Sequence, residues 1–140
     1  MMDDFIATLN SDHGTAAIAV DGATFRDINQ RLLERFFPNV KKATGKWVYN
    51  NYRWHGYAFN HETALSGDAA FECYREQTVA PFYIYHEFDD SLFDCTASAW
   101  PDVRAYDNDI YVFPHDMAWL FTTTHEMSIG LGPFFAAPST

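Results

Sequence analysis

Three His-Glu dipeptides, His61-Glu62, His86-Glu87 and His125-Glu126, are the residues of this chain best suited to chemistry. A histidine beside a carboxylate can serve as an oriented general base or ligate a metal through a ring nitrogen. None of the three begins H-E-x-x-H, because Thr-Ala-Leu, Phe-Asp-Asp and Met-Ser-Ile follow them, so the zinc-protease signature is absent. Neighbours on a strand point to opposite faces, so the two members of one pair cannot share a metal. Three histidines on adjacent strands, His55, His86 and His125, remain a geometrically possible zinc set with an open position. A catalytic reading makes His125 the base or ligand and Glu126 its partner or acid, supported by Asp116 or Glu87. The structural alternative has His125 ending a strand and bonding the glycine-rich turn after it. The chain carries no G-x-S-x-G, no phosphate loop and no dinucleotide fingerprint, and neither cysteine sits beside a histidine. No cofactor is expected. Asp89, Asp90 and Asp94 lack the oxygen-ligand spacing of an EF-hand and read as a solvated acidic turn.

The formal net charge of −10 argues against a nucleic-acid partner, whose phosphates require clustered lysine and arginine. Basic residues concentrate early, at Arg26, Arg31, Arg35, Lys41, Lys42, Lys46 and Arg53. Beyond Gln77 only Arg104 stands against nine acids. Such an excess steers a basic partner by long-range attraction, or it serves solubility alone.

The elements that must position these groups can be read from pattern. Residues 1–14 are polar and are expected to be a flexible lead-in, with a single α+β domain over 15–140. Ala16 to Val20 is a short apolar run bounded by turn residues. Thr24 is expected to cap a helix whose Phe25, Ile28, Leu32 and Phe36 recur at helical spacing until Pro38. Trp47 to Phe59 is rich in aromatics, with a turn or bulge at Asn50-Asn51, a strand over Tyr52–Phe59 and Gly56 as a bulge or close approach. Ser66 caps a second helix, ending near Gln77. Pro81-Phe82-Tyr83-Ile84-Tyr85-His86 opens a strand, Leu92 to Ala99 is ambiguous, and Asp109–Phe113 pairs with Ala118–Thr124 as a hairpin. Gly130 to Phe135 should hold one bend anchored by Phe134 and Phe135.

Aromatic residues make up 18 % of the chain and supply the burial a small core needs. Cys73 and Cys95 are expected as free thiols. The acidic N-terminus lacks the apolar stretch of a secretion signal and no run reaches the length of a membrane span, so a cytoplasmic protein is expected. The order of elements predicts a mostly antiparallel sheet with two or more helices packed on one face.

Trp54-His55, Gly67 with Ala69-Ala70, Asp109-Ile110-Tyr111-Val112, and Trp119 leading to Thr124-His125-Glu126 and Gly132-Pro133-x-Phe135 carry a resemblance. They look like a small bacterial family of uncharacterised α/β domains, over about Trp47 to Phe135. The resemblance implies a fold and a bacterial origin, and no activity.

The first functional expectation is a small acidic domain that binds a basic protein, most concretely an immunity-type inhibitor of a basic toxin. Glu87, Asp89, Asp90, Asp94 and Asp116 would form its charged surface, with Trp100 and Trp119 as anchors. The alternative is a small metal-assisted hydrolase using His125 and Glu126.

Overall fold

The computed structural model describes residues 2–49 and 51–138. Asn50, half of the expected Asn50-Asn51 turn, lies outside them, as does Met1. Among the described residues the chain forms an antiparallel seven-stranded sheet in the order β1-β4-β3-β5-β6-β7-β2. The strands are β1 (Ala16–Ala19), β2 (Leu65–Ser66), β3 (Phe82–His86), β4 (Ser91–Thr96), β5 (Ile110–Pro114), β6 (Leu120–Thr122) and β7 (Phe134–Ala136). The helices are α1 (Met2–His13), α2 (Gly22–Phe36), α3 (Pro38–Thr44), α4 (His55–Ala58) and α5 (Gly67–Arg75). No described helix is long and apolar enough to cross a membrane.

The centre of the sheet is β5, paired with β3 through His86↔Ile110 to Phe82↔Pro114 and with β6 through Tyr111↔Thr122. Its residues alternate between two cores. Tyr111 and Phe113 join Ile28, Leu32, Phe36 and Val40 from α2 and α3, whereas Ile110 and Val112 join Phe5 and Leu9 of α1 with Ala70 and Tyr74 of α5. All five β5 residues are buried, which is why the strand reads as a continuous apolar run rather than an alternating one. Each large side chain so buried contributes about 1.5–3 kcal/mol. Of the two expected helices, α2 packs on one face, joined by α3, and α5 packs on the other, where α1 covers the sheet as well.

That second cover corrects the expected lead-in. Residues Met2–His13 are helical, and Phe5 and Leu9, one turn apart, bury against the sheet. The signal was weak because only Phe5, Ile6 and Leu9 interrupt a polar helix. α2 starts earlier than expected, capped by Asp21, whose Oδ1 accepts the Thr24 N–H at 2.8 Å. Pro38 opens α3 instead of ending the helical region, a position where its missing N–H costs nothing.

The expected strand over Tyr52–Phe59 is also corrected. These residues make local turns and α4, with Tyr57 and Ala58 N–H both bonding the Trp54 carbonyl. Gly56 is the close approach its type suggested: a Cβ there would lie 2.8 Å from Val40 Cγ2 of α3. The ambiguous run after Asp90 resolves as β4, and the anchored end as β7, between β6 and β2.

Candidate functional site

Polar side chains converge at the end of the sheet where β3 finishes, β5 begins and β6 finishes. Asp109, just before β5, is only 3 % exposed. Its Oδ1 accepts the Trp54 indole N–H at 2.8 Å and the His125 backbone N–H at 3.1 Å. The His125 ring contributes Nδ1 at 2.9 Å and 3.0 Å from the two carboxylate oxygens. With Nδ1–H donating to Asp109, Nε2 is left as the outward nitrogen of a side chain 36 % exposed. Glu126 Oε1 is 3.7 Å from that nitrogen.

Threonines hold this geometry. Thr123 Oγ1 donates to the Asn108 carbonyl at 2.7 Å, pinning the segment before β5 to the one after β6. Thr124 Oγ1 donates to the Leu131 carbonyl and accepts the Glu126 N–H, so the turn behind His125 is tied down. Gly132, at φ 95°, faces Thr124, whose Cγ2 would lie 3.0 Å from an added Cβ. The turn therefore needs glycine for both backbone and space.

A second buried network adjoins the first. Tyr111 Oη donates to Glu87 Oε1 at 2.6 Å and accepts the Trp54 backbone N–H at 3.0 Å. Glu87 Oε2 accepts the Arg53 backbone N–H at 3.0 Å, and the Arg53 guanidinium lies over the Tyr85 ring at 4.2 Å. Tyr85 in turn donates to Asp90 at 2.6 Å. Burial raises the Glu87 carboxyl above its ordinary value, against the lowering pull of Tyr111 and Arg53. Burial also drives the Tyr111 phenol well upward.

His55 packs between Trp54, at 4.4 Å between ring centroids, and Tyr52 and Phe59, at 5.3 and 5.4 Å. Burial lowers its tendency to protonate, opposed by Glu126 and Asp109 and assisted by His125. His86 is on the other face of the sheet, edge-on to Phe5 of α1 at 5.0 Å, with Nε2 3.3 Å from Asn108 Nδ2. It too is lowered, first by burial, against Asp89 and Asp109. The structure thus brings His55 and His125 to one aromatic neighbourhood and separates His86 from them by the sheet, because alternate residues of β3 point opposite ways. Among the described residues no group of three or more His, Cys, Asp or Glu is arranged to hold a metal ion.

The two lowered histidines carry a pH prediction. Each protonates more readily in the unfolded chain than in the folded one, so stability is fully present above the ordinary value of 6.5 and is lost as pH falls below it. Glu87, with its folded value raised, gains protons on folding and offsets part of that loss nearer 4.5. The melting temperature should therefore fall as pH drops from 6.5 toward the carboxyl range, and His86→Gln should flatten that slope relative to the native chain. Thermal melts of both proteins across that range provide the check.

The expected partner surface is only partly where the charge pattern put it. Glu87 is not free surface charge but a largely enclosed hub, its side chain 12 % exposed. Asp89 and Asp90 are exposed in the β3–β4 turn, while Asp94 is paired with His115 Nε2 at 2.8 Å and Asp116 shapes the β5–β6 turn by accepting the Ala118 N–H. These last two lie toward the opposite end of the strands. Trp119, 6 % exposed, is core, and Trp100 wedges against it and Phe82 with centroids 5.0 Å away in both cases. Trp119 is therefore not an interface anchor, and Trp100, half-buried with its indole donating to the Gln77 carbonyl, is held in the same cluster. Alternation on β6 and β7, which sends Trp119, Phe121 and Phe135 to the α5 face, accounts for this.

Arg53, Asp109 and Tyr111 carried no site role in the sequence reading, although Asp109 and Tyr111 fall in a motif of the resemblance. A signal for Asp109 existed, an acid placed immediately before an otherwise apolar strand.

The fold and site define a class: a domain with an antiparallel sheet covered on both faces, whose buried polar network closes one end. The chain matches the family model described as Domain of unknown function (DUF4275) over residues 37–135, and it belongs to that family. The matched span contains Arg53, Trp54, Glu87, Asp109, Tyr111 and His125 and omits α1, β1 and α2. No curated protein and no solved structure matches it significantly.

Proposed function

We propose that this protein is a binding domain that receives a basic protein at the end of the sheet where the polar network lies, and that it works as an immunity-type inhibitor masking a basic toxin. The observation that carries the reading is Phe88. It is 79 % exposed in the turn after β3, flanked by Glu87, Asp89 and Asp90. Asp107, exposed before β5, and Glu126 add to the same end. The arginines of the segments concerned are already engaged: Arg53 is buried beside Glu87, and Arg104 forms a two-point pair with Asp102 at 2.8 Å per bond. An exposed apolar anchor beside the exposed carboxylates of Asp89 and Asp90 suits a partner whose basic side chains surround an apolar pocket. The same charge disfavours nucleic acid as the ligand. The free thiols of Cys73 and Cys95 suit a cytoplasmic setting, and a bacterial source fits the family that the motifs resemble.

Affinity capture with washes of rising salt tests this reading, comparing the native chain with Phe88→Ala and with the double charge reversal Asp89→Lys, Asp90→Lys. A basic protein should be retained in stoichiometric amount by the native chain. Phe88→Ala should weaken it by about 2 kcal/mol, roughly thirty-fold. The charge reversal should slow association and remove most of its salt dependence. Retention unaffected by either variant, or no basic protein retained, would overturn the proposal.

A further inference from the structure

We propose that Asp109, His125 and Glu126 also form a general-base site that hydrolyses uncharged or cationic carboxylic esters. The geometry carrying this does not involve Phe88, Asp89 or Asp90, although Glu126 belongs to both readings. Asp109 is buried and takes three N–H donors, one of them His125 Nδ1, which fixes the imidazole tautomer and turns Nε2 outward. Tyr52 stands edge-on to the imidazole at 4.8 Å and Trp54 at 6.0 Å, forming a wall beside the exposed nitrogen. The charged and titratable groups that face it are Asp109 behind, Glu126 in front and His55 across Trp54.

In the reaction, Nε2 takes a proton from water as the water oxygen bonds to the ester carbonyl carbon. Glu126 lies where it stabilises the imidazolium so formed. The tetrahedral adduct collapses with cleavage of the carbon–oxygen bond, and Nε2–H returns its proton to the departing oxygen, giving acid and alcohol with no change of oxidation state. The carboxylates of this end repel phosphate and carboxylate substrates, which selects esters without negative charge. Asp109 is a positioning residue and His125 the catalytic one.

Hydrolysis of p-nitrophenyl acetate by the full chain, above the buffer rate, tests the site. His125→Gln should lower the rate by roughly 10²-fold, the lower end of what a positioned base contributes, while His115→Gln, whose Nε2 is already held by Asp94, should leave it unchanged. A loss below about ten-fold for His125→Gln, or an equal loss for His115→Gln, overturns the proposal. Carbethoxylation of the native chain with diethyl pyrocarbonate gives the same reading without relying on a variant to fold: modification at His125 Nε2 should abolish the excess rate, and activity surviving that modification overturns it. Nitrogen-15 spectra of the imidazole separate positioning from mere support. Asp109→Asn should mix the two tautomers as the rate falls, and a rate loss with the Nδ1–H form intact would remove Asp109 from its role.

Discussion

Replacing Trp54 with alanine should destabilise the domain by about 4 kcal/mol, the cost of truncating a large fully buried aromatic. For a chain of this size that corresponds to a fall in melting temperature of roughly 12 °C. The ring is completely buried, stacks on Tyr52 at 5.7 Å and Phe134 at 6.4 Å, and donates its indole N–H to Asp109. Both contributions can be separated. Trp54→Phe keeps most of the packing and loses the hydrogen bond to a charged acceptor, so it should cost about 2 kcal/mol. Chemical denaturation of the three proteins checks the order. Equal stability of Trp54→Ala and the native chain would mean that the loop from Tyr52 to Ala58 is not part of the cooperative core.

Asp109→Ala should cost about 3 kcal/mol and release His125 from its orientation. The change strands two donors, the Trp54 indole N–H and the His125 backbone N–H, each worth about 1–3 kcal/mol when left unpaired in a buried place. Asp109→Asn, which retains an acceptor of the same shape, should recover more than half of the loss. Denaturation gives the energies. The Trp54 indole proton resonance should shift strongly in Asp109→Ala, and an unchanged resonance would show that water takes over the carboxylate's role.

Sequence pattern made the layers legible and the site only in fragments. α2 declared itself because Ile28, Leu32 and Phe36 repeat at the helical period over about two turns, and β3 and β5 because apolar residues run together between turns. Tyr52–Phe59 misled because its aromatic content suits a strand, whereas its burial comes from tertiary contacts to α3 and to Asp109 that no local period encodes. His125 and Glu126 were visible as residue types. Their actual partner was not, because Asp109 lies 16 residues from His125 and 55 from Trp54. The acidity of the latter half was legible too, but chain position cannot separate a carboxylate at a largely enclosed hub, Glu87, from an exposed one, Asp89. Size and type suggest Trp100 and Trp119 as surface anchors, whereas their mutual packing depends on which way β6 is pleated.

The triple acceptance at Asp109 has a consequence for when the site exists. Its bonds join three segments that meet only after the β5–β6 hairpin has closed and the loop before α4 has docked, so undoing either closure breaks them. The Trp54 indole proton and the His125 amide should then exchange with solvent when that loop undocks or that hairpin opens, although His125 itself stands at the surface. Fraying of α1 would leave both protected. Whatever approaches this end meets a complete arrangement only in molecules in which both the loop and the hairpin are closed, whether or not α1 is frayed.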